Sequence, residues 1–331
     1  MSHYHLYAIG NALVDTEYEV SDELLNAMGV SKRHMTLIDT PQRAELLKHV
    51  QGLHARRTGG GSAGNTVVAL AQLGGQAFYS CRVADDELGA YYTQDLQTNG
   101  VATNLSHTRP SEGQTGSCMV LVTPDAERSM CTFLGATSQL DASALHPQDI
   151  AKSKIYYMEG YLAASPTGLE AAVKGRQMAV EHQVQTALTL SDVSMINFCK
   201  AGLEAMLGDG LDYLFANEEE AQTWCGTTDL DAILAQLSPL AKTVCLTRGP
   251  QGCIVVQGAQ RIEVPAVPTQ AVDTNGAGDM FAGAFLYAIS QGKDFKTAAE
   301  FANLAAAKVV SQFGPRLKAE QHEELKKGFF N

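Results

Sequence analysis

Short apolar runs, rich in β-branched and aromatic residues, alternate along most of the chain with longer segments whose apolar positions recur every three or four residues. The first kind suits strands covered on both faces, and the second suits helices that bury one side. The alternation predicts strands near residues 7–9, 77–81, 155–158, 186–190, 213–216, 244–247 and 254–256. It predicts helices near 66–73, 87–99, 167–182, 218–225, 276–291 and 297–312. In the helix from 276, Ala277, Met280, Phe281, Ala284, Phe285, Ala288 and Ile289 share one face. The helix that follows it meets a stop signal at "FGP", with Gly314 and Pro315. Strand and helix alternating in this way imply an α/β fold with a mainly parallel central sheet flanked by helices.

Two segments break the rhythm, 12–39 and 114–135. The second, "GSCMVLVTPDAERSMCTFLG", reads as an antiparallel hairpin with Pro124 and Asp125 in its turn. Both stand outside the βα pattern, so they are expected to form a small β lid over the main sheet. The chain shows no internal repeat, low-complexity tract or linker, and residues 1–331 read as one domain.

Composition narrows the partners. With 331 residues, 45% of them apolar, a large buried core is assured. A formal charge of −12 and the lack of any lysine or arginine run exclude a nucleic-acid or anionic-membrane surface. Small ligands stay open. The seven cysteines (Cys81, Cys118, Cys131, Cys199, Cys225, Cys245 and Cys253) show no C-x-x-C pair and no histidine at zinc spacing, so they read as free thiols in a reducing compartment. The N-terminus lacks a basic leader, and no apolar run nears the ~18 to 20 residues of a membrane span. A cytoplasmic protein is expected.

Two glycine-rich segments carry the chemistry. "TGGGSAGNTVVALAQLGG" contains Gly59, Gly61 and Gly64, a literal G-x-G-x-x-G, with Asp85 downstream. That matches a dinucleotide fingerprint, but the fingerprint needs a buried strand just before it, and "QGLHARRT" is polar and basic. A loop into a helix capped by Ser62 or Asn65 is the plain alternative, and a close approach of backbone to ligand lies between the two. No G-x-x-x-x-G-K-[ST] occurs. In "DTNGAGDMFAGAFLYAI" the small residues Gly276, Ala277 and Gly278 open a helix, where free N–H groups and the helix dipole make an anion site. Asp279 would repel a phosphate it touched, so it suits a base beside the anion, one that takes the proton of an attacking hydroxyl. The plain alternative is an aspartate complementing the dipole and a glycine relieving a turn.

These segments closely resemble the two signatures of the ribokinase-like (PfkB) carbohydrate and nucleoside kinases, in the expected order and separation. Within that family the adenosine kinase branch is the most similar, through "AIGNALVDTEYEV", "HMTLID", "ERSMCTFLGA", "MEGYLAASP" and "LFANEEEA". The resemblance runs from about residue 7 to 315. It implies transfer of the ATP γ-phosphate, with Mg2+, to the 5′-hydroxyl of adenosine; a ribose- or fructose-type sugar kinase and an inosine or guanosine kinase are the alternatives within the family. Asp279 matches the family's base, Gly276, Ala277 and Gly278 its anion hole, and Arg128 an arginine that reaches the phosphates as the lid closes. Asp15, Asn11, Gly60, Gly61, Ser62 and Asn65 match the sugar site, and Tyr161 stands where a phenylalanine usually meets the purine. The ATP and catalytic part is expected within about 186–315.

Asn217 and Glu220 match an N-x-x-E element that orients magnesium through water, although the same spacing is a helix capping box. Thr247, Gly249 and Asn303 match positions around the ATP sugar and base. Asp273 and Asn275 match a monovalent-cation (K+) region, where a simple turn is the plain reading. The histidines lack ligand spacing, and Ser62 has no Ser-His-Asp context. A dehydrogenase or a non-catalytic ligand-binding regulator are the rivals from other classes. A monomer and a homodimer fit equally.

Overall fold

Alternate residues of each central strand face two different cores, which is why those strands read as unbroken apolar runs. Leu6 and Ala8 join one buried cluster, while Tyr7 and Ile9 join another on the opposite face. The computed structural model describes residues 3–32, 35–107, 111–125 and 127–330. Arg33, His34 and Ala126, within the two segments expected to form a lid, lie outside the described residues.

The strands in chain order are β1 (Tyr4–Ile9), β2 (Leu13–Glu19), β3 (Met35–Leu37), β4 (Ala55–Gly60), β5 (Ala77–Ser80), β6 (Val101–Thr103), β7 (Ser117–Val122), β8 (Arg128–Phe133), β9 (Ser153–Glu159), β10 (Gln185–Thr189), β11 (Leu211–Asn217), β12 (Ala241–Thr247), β13 (Cys253–Gln257) and β14 (Gln260–Val264). Nine form one sheet in the order β14-β13-β12-β11-β10-β9-β1-β5-β6. From β12 to β6 every pairing is parallel, and β13 and β14 close one edge in antiparallel fashion. Parallel register lines up the carboxyl ends: Glu159 stands opposite Thr189, and Asn217 opposite Thr247. That is the edge of an open α/β sheet where ligands bind.

The other five strands form a second sheet, β3-β8-β7-β2-β4. One face covers a small cluster of Val20, Leu25, Leu46, Val50, Met119, Leu121 and Cys131. The alternate residues Cys118, Val120, Met130 and Thr132 face the other way, toward a cavity. The hairpin β7/β8 pairs Val122 with Arg128, and Pro124 and Asp125 form its turn. β4 does precede the glycine run, but as an edge strand with Arg56, Arg57 and Thr58 exposed, unlike the buried strand a dinucleotide fold needs.

Two helices bring the glycine segments together. Helix Ala277–Ser290 buries ten residues, among them Phe281 and Phe285, and it crosses helix Ser62–Gln72 at Gly283. A methyl group at Gly283 would sit 2.7 Å from Thr66 O and 2.8 Å from Ala69 Cβ, so only glycine permits this approach. One turn earlier on each helix, that crossing sets Asp279 against Ser62 and Asn65. Helix Ser62–Gln72 starts four residues before the expected 66, and its N-cap is Gly61 at φ 85°. The expected caps Ser62 and Asn65 both lie inside the helix, their polar groups used elsewhere. Among the described residues no helix is long and apolar enough to cross a membrane.

Candidate active site

A cavity of about 370 Å³ lies between the carboxyl ends of the main strands and the free face of the second sheet, a size that suits a small ligand. Asp279, the third residue of its helix, lines it half-buried. Ser62 Oγ donates to Asp279 Oδ1 at 2.7 Å, and Asn65 Nδ2 donates to Oδ2 at 2.9 Å. Burial pushes the Asp279 carboxyl up to about 6, against the pull of those donors and of Arg316. A carboxylate there is ionised at neutral pH yet basic enough to take a proton.

No side chain caps this helix. Gly276 takes φ 75°, and a side chain there would overlap Pro315. Gly276 and Gly278 line the cavity, and open space surrounds the position of a Gly278 methyl. Ala277 departs from the expected anion hole: it does not line the cavity, and its N–H reaches Thr274 O at 3.3 Å. The tight turn that Gly276 makes directs that amide back to its own chain.

On the second sheet Asp15 faces the same space. Burial raises it to about 7; Arg316 and Arg128 oppose this, and the Asp279 charge adds to it. Gly60 is small because any side chain would overlap the Asp15 carboxylate, and one at Gly61 would overlap Asn11 O. Asn11 and Gly61 line the cavity beside Asp15. Tyr161 lines it too, its hydroxyl 3.4 Å from Ser191 O, in a wall shared with Leu37, Leu134 and Phe215.

At the other end, Asn217 and Glu220 both line the cavity and also form a complete capping box for helix Glu218–Cys225. Asn217 Oδ1 accepts from Glu220 N at 2.8 Å, and Glu220 Oε2 accepts from Asn217 N at 3.0 Å. Burial raises the Glu220 carboxyl to about 7, so a cation nearby would favour its charged form. Among the described residues no group of three His, Cys, Asp or Glu could cage a metal. This donor set fits Mg2+ carried in mostly by phosphate oxygens and water. Thr247 lines the cavity, whereas Gly249 and Asn303 do not. Asn303 is buried and its amide donates to Val264 O and Pro265 O at 3.2 and 3.1 Å, which ties down the end of β14.

Arg128 is held apart from the cavity. It pairs with Asp273 and Glu17, each at 3.1 Å, and lies over the Phe313 ring. Asp273 also accepts from Asn275 N at 3.1 Å and Gly314 N at 2.8 Å, so both its oxygens are engaged, and it stands outside the cavity, while Asn275 lines it.

Two residues escaped the sequence reading. Glu159, fully buried at the end of β9, accepts from Asn11 N at 2.8 Å and Ala63 N at 2.7 Å, and burial raises it to about 7. It lay within the quoted segment "MEGYLAASP", a carboxylate ending the apolar run "IYYME", and was not singled out. Arg316, just past the "FGP" stop, reaches Asn65, and no spacing rule pointed to it. All seven cysteines are unpaired.

Residues 32–322 match the pfkB family of carbohydrate kinases. Among solved structures, an adenosine kinase from Sinorhizobium meliloti is 37% identical with a TM-score of 0.89, covering 98% of this chain and 99% of that one. A probable sugar kinase protein from Rhizobium etli is 35% identical with a TM-score of 0.90, covering 99% of both chains. The adenosine kinase of Saccharomyces cerevisiae is 29% identical, over 96% of this chain and 97% of its own.

Proposed function

The chain belongs to the pfkB family of carbohydrate kinases, phosphotransferases with an alcohol acceptor, and we propose that its acceptor is the 5′-hydroxyl of adenosine. The observation that carries the reading is the pairing of Asp279, at the head of an uncapped helix, with Asp15 across one cavity.

Ionised Asp279 takes the proton of the 5′-hydroxyl, the oxygen bonds to the γ-phosphorus of ATP, and the β–γ bridging P–O bond breaks with its electron pair leaving on ADP. Ser62 and Asn65 hold the carboxylate in line. The amides of Gly276 and Gly278, with the positive end of the helix dipole, steady the migrating phosphoryl group. Asp15 accepts from the vicinal ribose hydroxyls, with Asn11 and Gly61 beside it. Asn217 and Glu220 would hold a magnesium ion, which when bound would supply charge compensation on the phosphates. The wall of Tyr161, Leu37 and Leu134 covers the purine faces, and a free sugar would leave it bare.

The second sheet acts as the lid, through segments 12–39 and 114–135. On closure Arg128 leaves Asp273 for the phosphates, and the freed Asp273, with Asn275, can hold a monovalent cation. The test is ADP formation over a panel of adenosine, inosine, guanosine, ribose and fructose. Adenosine is expected to give the highest kcat/KM; a tenfold preference for either free sugar would overturn the acceptor assignment.

A further inference from the structure

Asn65 presents two chemically different ends to two different partners. Its Nδ2 donates to Asp279 Oδ2 at 2.9 Å, and its Oδ1 accepts from Arg316 Nε at 2.7 Å. A side-chain amide turned by 180° keeps nearly the same shape, so packing does not decide which end meets the carboxylate. Turned over, it would set two acceptors against each other at Asp279. A guanidinium has only donors, so the Arg316 contact settles the orientation.

Arg316 is itself fixed. Its Nη1 pairs with Asp95 Oδ2 at 2.6 Å, on helix Glu87–Thr98, and its side chain is 11% exposed. The glycine run makes room for this pair: a side chain at Gly59 would overlap the Asp95 carboxylate and lie 2.8 Å from Arg316 Nη1. Gly64 leaves the same room for the Tyr92 hydroxyl, and a methyl group there would lie 3.6 Å from Arg316 Nη2, an ordinary contact. Two of the three glycines that imitate a dinucleotide fingerprint are therefore steric requirements of the arginine's surroundings. Arg316 Nη2 is buried with no hydrogen-bond partner among the described residues, a cost that packing alone gives no reason to keep.

We propose that Arg316 is a positioning residue for phosphoryl transfer, acting on Asp279 through Asn65 and braced by Asp95. The inference rests on the reading of Asp279 as the base. Facing Asp279 are Asp15 from β2, Glu159 from the end of β9, Glu220 from helix Glu218–Cys225 and the hydroxyls of Tyr157 and Tyr161. Around Arg316 stand Asp95, Tyr92 and the buried His322. Arg316 is the cation that opposes the upward push of burial on Asp279, and it acts on Asp15 in the same sense. Its loss therefore both frees the Asn65 amide and removes a charge that keeps the base ionised.

The test compares Arg316→Met, Arg316→Lys, Asn65→Ala and the double variant Arg316→Met/Asn65→Ala as full-length kinases, each checked for a cooperative melt. For Arg316→Met, kcat is expected to fall about tenfold or more through misorientation, and the acid limb of the kcat–pH profile to move upward from near 6. Arg316→Lys is expected to bring the limb back without restoring full kcat, since an ammonium cannot bridge Asn65 and Asp95 in one plane. In the Asn65→Ala background the Arg316→Met loss in kcat should shrink, because the relay is already cut. If Arg316→Met leaves Asp95 buried, unpaired and unable to fold, Arg316→Met/Asp95→Asn takes its place. An unmoved acid limb with kcat unchanged, or fully additive losses, overturns the proposal. Asp279→Asn run alongside separates the two readings: if that variant turns over normally the base assignment itself fails, and if it is inactive while Arg316→Met is unaffected only the relay fails.

Discussion

The two sheets bury their apolar residues in opposite styles. In the nine-stranded sheet, neighbouring residues of one strand feed separate clusters on two covered faces, and side chains as large as Tyr7, Tyr156, Tyr157 and Phe285 are fully buried. In the five-stranded sheet one face covers a cluster of seven buried residues, and the other forms a cavity wall. Its outer strand β3 is exposed throughout, with Leu37 55% accessible. A layer with so little buried apolar contact is expected to open at a small fraction of the global unfolding free energy. Asp279, the helix-start amides, Asn217 and Glu220 belong to the rigid frame, whereas Asp15, Leu37 and Arg128 belong to the cover. On the proposed reading, the chemistry is preorganised on one side and substrate enclosure is left to the other.

The comparison can be broken in several places. Asp279→Asn should lower kcat about 10²–10⁴-fold while the melting temperature holds or rises, because burial penalises the charge that the substitution removes. A large drop in both would mean the carboxylate supports the frame instead of the reaction. Phe285→Ala, in the stack with Phe281 and Phe295, should cost about 3–5 kcal/mol of global stability. Leu121→Ala in the smaller cluster should cost about 2–3 kcal/mol, appearing as faster hydrogen exchange confined to β2, β7 and β8 together with a raised adenosine KM. Equal loss of exchange protection in both sheets would contradict the separation drawn here. Tyr161→Leu should raise the adenosine KM about tenfold with little change in kcat, measured by steady-state kinetics.

The smallest effect concerns pH. Asp279 at about 6 and Asp15, Glu159 and Glu220 at about 7 all lie above their unfolded values. The folded chain therefore binds more protons than the unfolded one between about pH 4 and 7, and stability falls as pH rises through that window. Denaturation midpoints at about pH 5 and 7.5 should differ in that direction, while kcat rises over the same range as Asp279 ionises. A midpoint that climbs with pH would show that the partners of these carboxyls outweigh the effect of burial.

Much of this was legible in advance. Seven strands of the main sheet, all but the edge strands β6 and β14, and the helix carrying Asp279 follow from periodicity, because a strand covered on both faces and a one-sided helix leave clear spacings. The cover was legible in part: the hairpin β7/β8 and its turn read from residues 114–135, whereas β4 reads as "ARRTGG", an exposed edge that hydrophobicity cannot mark. Glu159 and Arg316 were invisible for a related reason. Each acts through contacts distant in the chain, Glu159 on Asn11 and Ala63 and Arg316 on Asn65 and Asp95, and a lone charged residue in sequence has no period to betray it.

The chain by itself determined the α/β plan of a mainly parallel sheet flanked by helices, the small-residue helix start and the placing of Asp279 in its first turn, since each depends on residues close in sequence. Tertiary structure alone decided what the glycines are for. Gly59, Gly60 and Gly64 are small because Asp95, Asp15 and Tyr92 occupy the space their side chains would need, and Gly283 because two helices cross there. Only folding sets those neighbours in place, since their contacts join residues that chain connectivity leaves far apart.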